Sequence, residues 1–441
     1  MRRRVTFRHR DTPVASLLVR RLLDDRRGRI VVWVAFVLVH AFLVLQVWTW
    51  PLAPFNDVIV VYRDWVALGL TSGAWVGLSL PFVYPPLALA PMVAAAVFGL
   101  GSTAYGWGWL LLVVLLDALA LAVLTARGDA LRRRRETIAA WWWLAFLLLL
   151  GPVGLGRLEA ITAPLAIIAV RLLLERPAVA GALLAVGAWI KIWPGALLAA
   201  ALVTLRSGLR VLLGGVVATA LILLLGLALG GRAELLGFLA GQADRGLQVE
   251  SLLAAPWLVA VALGLPGAEV VWNHGINTFE VAGPGVEALA AWSTPVLVVS
   301  VLVLLVLGLL ARRRDPLAAL VPLSVGLVAV LVVTNKVGSP QFTAWLAAPI
   351  VLAILLAPPA PVVRDSRAFL PGVLALALAG LTQIVYPTTY DLLLAGYPVI
   401  VAILVVKHVL WLVLLGWAVV RLWAIARGNA ISRGNAVTVR G

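Results

Sequence analysis

Long apolar stretches separated by short polar punctuation run along the chain, at 30–50, 86–100, 105–126, 137–152, 160–174, 178–190, 193–205, 211–231, 252–266, 288–311, 317–334, 342–357, 369–384 and 399–420. Many reach the roughly 20 residues that a helix needs to cross a hydrocarbon core of about 30 Å, so they predict spanning helices. The stretches 178–190 and 193–205 are shorter, and at about 1.5 Å per residue each covers only some 20 Å. They predict helices that are tilted, broken or partly re-entrant, interrupted at Lys191-Ile192-Trp193-Pro194. Irregular backbone at that depth is tolerated only where it lines a protein cavity or water. Between the first two apolar stretches, residues 57–70 suit a short helix lying on the membrane. Asn56 or Asp57 is placed to cap it, with Asp57, Val61 and Asp64 on one face.

Composition turns these helices into a membrane protein. The 441 residues are 63% hydrophobic and 12% charged, with a mean hydropathy of +1.07, which excludes a water-soluble domain and a disordered chain. With no cysteine, disulfides and thiolate metal sites are excluded as well. The net charge of +16 is concentrated between apolar stretches: ten Arg in 1–29, the run Arg132–Arg135, Arg312–Arg314, and four Arg with no acid in 421–441. That is the positive-inside pattern rather than a nucleic-acid surface. At 21 residues, 30–50 reads as a retained first helix rather than a cleaved signal. Cytoplasmic Arg clusters put 51–84, 153–159, 232–286, 335–340 and 386–398 outside. Parity then requires an odd number of crossings in 85–126, so either 86–100 dips in and returns or the Arg132–Arg135 run breaks the rule. The same argument makes 252–266 a partial or surface-lying segment.

The inner loops are short and basic, whereas the outer ones hold mixed polar residues: Asn56, Asp57, Tyr62, Arg63, Asp64, Tyr84, Arg157, Glu159, Arg245, Gln248, Glu250, His274, Lys336 and Gln341, with Lys191 at the helix break. A site therefore opens outward. The sequence has no Walker A motif, glycine-rich dinucleotide turn or soluble nucleotide domain, so an activated group has to come from an ion gradient or a lipid-borne donor. Metal-ligand spacing is lacking too, with only Asp57 and Asp64 near enough to share an ion; no metal or other cofactor is expected. Lysine occurs only at 191, 336 and 407 against 32 Arg, and two of the three stand beside Pro-marked breaks on the outer side. Trp65, Tyr84, Trp193, Trp272, Trp345 and Tyr386 offer sugar-stacking faces, although most Trp suit membrane interfaces. His40 and His408, inside apolar helices, suit interhelical hydrogen bonds. Asp117 should face the bundle interior with an Arg or Tyr partner.

A carboxylate shortly after the first membrane helix, then Tyr62-x-x-Trp65 and Tyr84-Pro85-Pro86, resembles the membrane glycosyltransferases of family 87. The likeness extends through Lys191-x-x-Pro194, 246–251, Gly283-Pro284 and Ser339-Pro340-Gln341-Phe342. At 154–159 this chain has Gly156-Arg157-Leu158-Glu159 where family members often show Gly-Gln before an Asn.

The resemblance implies an all-α, GT-C-like transmembrane bundle of roughly 10–13 membrane segments with an outer-face active-site cavity. It further implies an inverting hexosyltransferase of the plasma membrane, moving a hexose, mannose above all, from a polyprenyl-phosphate sugar to a glycolipid or lipid-linked acceptor. The departing lipid phosphate is already a stable anion, so one base suffices, unlike the two carboxyls of glycoside hydrolysis. Asp57 is carried over as that base. Lys191, Lys336, Arg63, Arg157 and Arg245 are the expected donor-phosphate cations, and Asp64, Tyr62, Tyr84, His274, Gln248, Glu250 and Gln341 the expected substrate contacts. The domain plan is a basic cytoplasmic segment 1–29, a catalytic bundle 30–420 and a basic tail 421–441. The rival is a secondary transporter or flippase of lipid-linked sugars, which should show matching halves; no internal repeat is evident.

Overall fold

The computed structural model describes residues 26–50, 54–126, 130–239, 245–357 and 366–428. Most of the basic N-terminal segment and the end of the basic tail lie outside the described residues. In chain order the main helices are α1 (Arg26–Thr49), α2 (Arg63–Ser72), α3 (Leu89–Ala94), α4 (Ser102–Leu124), α5 (Ala130–Leu150), α6 (Glu159–Leu172), α7 (Pro177–Ile190), α8 (Pro194–Thr204), α9 (Gly208–Ala228), α10 (Ala255–Ala262), α11 (Val286–Arg312), α12 (Pro316–Val333), α13 (Ala347–Leu356), α14 (Ser366–Gln383) and α15 (Pro398–Ala426). Eight helices among the described residues are long and apolar enough to cross a membrane, and five more apolar helices have 10–17 residues. The architecture is that of a polytopic helical membrane protein.

Burial separates a protein interior from a lipid-facing rim. The spanning window of α12 is 67% buried, whereas those of α9 and α11 are 22% and 17% buried. With leucine and valine on their exposed faces, α9 and α11 present the apolar surface that a bilayer solvates. Helices α6, α12 and α13 form the centre, where buried Pro164, Pro322 and Pro349 are accommodated by neighbouring helices.

The segment Pro86–Phe98 is apolar but shorter than a spanning helix. It consists of α3 between two short 3-10 turns, about 20 Å in all at helical rise. Tyr105 of α4 donates to the Met92 carbonyl at 2.8 Å, which ties the segment back onto α4. Helix α10 has 8 residues, too few to span.

One element departs from the expected loop in 232–286. Glu269–Asn273 (β1) and Thr278–Ala282 (β2) form an antiparallel hairpin, with Asn277 in the left-handed conformation at φ 55°. The signal was local: two short β-favouring runs flanking a turn that contains Gly275 and Asn277. The backbone of 247–249 continues this sheet, since Val249 N–H donates to the Phe279 carbonyl and Val281 N–H to the Leu247 carbonyl.

An intramembrane polar pair and a close glycine contact bear on the helix packing. Asp117 of α4 faces the interior as expected, but its partner is His40 of α1, at 3.0 Å, rather than an Arg or Tyr. Helices α7 and α9 approach through glycine. A Cβ added at Gly181 would meet the Val211 carbonyl oxygen at 1.9 Å, and one at Gly214 the Ala178 carbonyl oxygen at 1.8 Å. Small residues let membrane helices approach closely where lipid provides no hydrophobic drive. Gly181→Ala should therefore destabilise the protein in detergent by about 1–3 kcal/mol as an overpacking change. Gly416→Ala on α15, where nothing lies within 4 Å, should be neutral or slightly stabilising. Paired thermal melts of the two variants check this; equal melting shifts would refute the close α7–α9 contact.

Candidate active site

Asp57 opens a π-helical turn, Asp57–Tyr62, that runs directly into α2. Asn56 holds the cap position without a side-chain hydrogen bond, and Asp57 is not spent on capping. Its Oδ2 instead pairs with Arg157 Nε at 3.1 Å. Arg157 is nearly enclosed and its guanidinium is fully engaged: Nη1 donates to the Pro54 and Gly156 carbonyls at 2.6 and 2.8 Å, and Nη2 to the Tyr386 hydroxyl at 3.0 Å. Burial works against this charge, but Asp57 and the surrounding tyrosines more than offset it, so Arg157 stays charged with a pKa above the ordinary arginine value. A rigid cation thus fixes one oxygen of a carboxylate whose side chain remains 38% exposed. Geometrically this is a held, accessible carboxylate.

Behind Asp57 lies an aromatic cluster. Tyr62 is fully buried against Trp109, at 5.3 Å between ring centroids, and touches Tyr84 edge-on. Burial, with Tyr84 and Asp57 nearby, pushes its phenol well above the ordinary value and keeps it neutral. Tyr84 precedes the extended Pro85 and the turn begun by Pro86, an arrangement that proline's fixed φ favours. Its ring lies 4.4 Å from Lys191 Nζ.

The break between α7 and α8 delivers Lys191, whose own backbone is extended, while Trp193 is already in helical conformation before Pro194 opens α8. Lys191 Nζ lies 3.4 Å from Glu159 Oε1, which also accepts from Trp345 Nε1 at 3.2 Å. Trp345 stacks on Trp193 with ring planes 10° apart. This lysine is a held ammonium rather than a side chain reaching to the interface, and Glu159, Tyr84 and Asp57 all favour its charge.

Lys191, Tyr84 and Trp345 line a cavity of about 530 Å³, within the range of small-molecule sites. Arg245, Lys336, Asn335, Ser339 and Gln341 complete its polar side, and Leu297, Val301, Leu327 and Leu331 of α11 and α12 form an apolar flank. Among the described residues its wall holds three cations and no carboxylate. The Nε of Arg245 is shielded from solvent and has no hydrogen-bond partner. Segments assigned by the charge pattern to one face, 51–84, 232–286 and 335–340, thus converge with the Lys191 break.

The remaining expected residues lie elsewhere. Arg63 pairs with Asp64 at 2.7 Å and also bonds Ser102; neither lines the cavity. Arg157 holds Asp57 instead of facing the cavity. His274 sits at the exposed hairpin turn, edge-on to Trp272. Gln248 is buried and bridges to Glu280 through backbone. Glu250 is also buried and is paired with Lys407 at 3.0 Å. Sequence reasoning did not single out Glu159 as a holder of Lys191, because pairing across 32 residues leaves no periodic trace. The described residues contain no group of three or more potential metal-ligating side chains.

Residues 82–335, more than half of the chain, match glycosyltransferase family 87. The chain belongs to that family. It is a GT-C membrane glycosyltransferase, which requires a sugar donor and an acceptor. No curated protein matches it. The matched stretch carries Tyr84, Arg157, Glu159, Lys191 and Arg245; Asp57 precedes it and Lys336 directly follows it.

The Arg157 contacts make one site prediction. Lysine keeps the charge but cannot serve Asp57, two carbonyls and a tyrosine together. Arg157→Lys should reduce sugar transfer about 10- to 150-fold, the worth of one charged hydrogen bond of about 1.5–3 kcal/mol, in single-turnover assays of folded protein. Full activity would show that Asp57 needs no fixed partner.

Proposed function

We propose that this family-87 enzyme transfers a hexose, mannose first among them, from a polyprenyl-phosphate sugar to a glycolipid or lipid-linked acceptor. The reaction takes place on the extracytoplasmic face of the plasma membrane, with inversion. The observation that carries the reading is the cavity's division into a side whose described residues include three cations and no carboxylate and an apolar flank beside the lipid-facing α11. A phosphate on a long isoprenoid needs both. The shielded, unpartnered Arg245 Nε adds a donor for which an anion is the natural complement.

In this mechanism Asp57 accepts the proton of the acceptor hydroxyl while that oxygen bonds to the anomeric carbon. The bond from that carbon to the phosphate oxygen breaks, and the lipid phosphate leaves with the electron pair. Lys191, Lys336 and Arg245 hold the phosphate, and no acid is required to protonate it. Tyr84, Trp345 and Gln341 bound the space for the sugar. The Arg-rich loops assigned to the inner side support an extracytoplasmic site. Family membership favours transfer over the transporter reading.

Asp57→Asn keeps shape and one acceptor oxygen but takes up no proton. It should slow transfer by about 10²–10⁴ in protein that remains folded, with a lowered melting temperature because the buried Arg157 loses its counter-charge. Turnover within tenfold of wild type would remove Asp57 from the mechanism.

Donor substitution tests the substrate class. Purified enzyme should use a polyprenyl-phosphate hexose and not a nucleotide sugar. Lys191→Met and Lys336→Met should each weaken donor use about 10- to 150-fold, and Arg312→Met at the inner end of α11 should not. Robust transfer from a nucleotide sugar, or equal behaviour of all three variants, would overturn the lipid-phosphate reading.

A further inference from the structure

Lys407 lies nine residues beyond Pro398 in α15, about 14 Å along the helix axis, and is only 4% exposed. A buried lysine within an apolar 29-residue helix is expensive and calls for a reason. Its Nζ pairs with Glu250 Oε2 at 3.0 Å, and the ring of the next residue, His408, approaches the Glu250 backbone carbonyl at 3.2 Å. Two successive residues of α15 thus grip Glu250 by side chain and by backbone.

What they grip lies directly against the cavity wall. Gln248 N–H donates to the Lys336 carbonyl at 3.0 Å, and Ser251 Oγ to the Asn335 carbonyl at 2.7 Å. Gly338 is pressed flat on the same stretch, where a Cβ would come within 1.9 Å of the Ser251 nitrogen. Residues 335–338 are therefore laid, backbone to backbone, on 248–251, and 248–251 is pinned by α15. Lys336, whose side chain lines the cavity, inherits its position from Lys407.

We infer that the Lys407–Glu250 ion pair is a positioning device for the phosphate-binding side of the cavity, with Lys407 acting on the donor through Lys336 and Glu250 holding no substrate. This rests on the lipid-phosphate reading of the cavity. It brings α15, outside the matched stretch, into donor binding.

The test is a double-mutant cycle on binding of a bare polyprenyl monophosphate to the purified full chain in detergent, with thermal melts in parallel. Lys407→Met alone strands a buried carboxylate and risks misfolding, so the working variant is Lys407→Met/Glu250→Gln, which removes both charges. It should melt near wild type and bind about 5- to 50-fold more weakly, within the range of couplings between residues sharing one network. In a Lys336→Met background the same pair of changes should cost less than about twofold, because its route to the phosphate is already gone. Wild-type affinity of the charge-free pair, or losses that multiply in the combined variant, would overturn the inference and leave the cavity reading standing. Unchanged binding by Lys336→Met alone would overturn both.

Discussion

A charge inside an apolar bundle has to be compensated within the protein, and this constraint organises the fold around the site. Moving a carboxylate or ammonium out of water costs several kcal/mol even after relaxation, which a partner with good geometry offsets. Asp57 meets Arg157, Glu159 meets Lys191, Glu250 meets Lys407 and Glu136 meets Arg171. Two of these pairs tie an irregular stretch to a helix, the break at Lys191 to α6 and the run through Glu250 to α15, and the Asp57 pair ties a π-helical turn to the turn before α6. The pairs fix in place the parts of the backbone that cannot fix themselves by regular hydrogen bonding.

Against that background the cavity wall is distinctive because its described residues include three cations and no acid. Glu159 stands behind Lys191, leaving the wall facing the void positive. The electrostatics thus separate into a fixed, partly exposed carboxylate on the Asp57 side and a basic pocket on the other. A transferase that activates a hydroxyl and releases an anion needs that polarity, because the two events demand opposite signs of charge.

Much of the bundle was legible because apolar runs of 18 or more residues have few alternatives to a spanning helix. The short helices around Lys191 were readable from length. The convergence of Tyr84, Lys191 and Lys336 on one cavity was readable only through the family motifs, since composition carries no distances, and Asp57 stands outside the cavity lining, held by Arg157. What escaped was pairing at long range. Arg157 and Glu250 looked like ligand contacts because polar residues in outer loops usually face solvent or substrate, yet both are consumed by protein partners. Lys407 drew no role for the opposite reason: it sits in a helix whose pattern is predominantly apolar. The hairpin was missed because its two five-residue strands lie in a region read as loop.

Helix α11 has two roles at once, with Leu297 and Val301 on the cavity and Val298, Val299 and Leu302 on the exposed rim. Only one helix thickness separates the pocket from the surrounding hydrocarbon. For an amphiphile this changes the encounter problem. A long isoprenoid tail gains about 0.8 kcal/mol per buried methylene, so such a molecule is held in the bilayer and searches in two dimensions. Its effective concentration is set by the lipid mole fraction rather than by its concentration in water. Weak binding by the pocket itself would then suffice to keep it occupied.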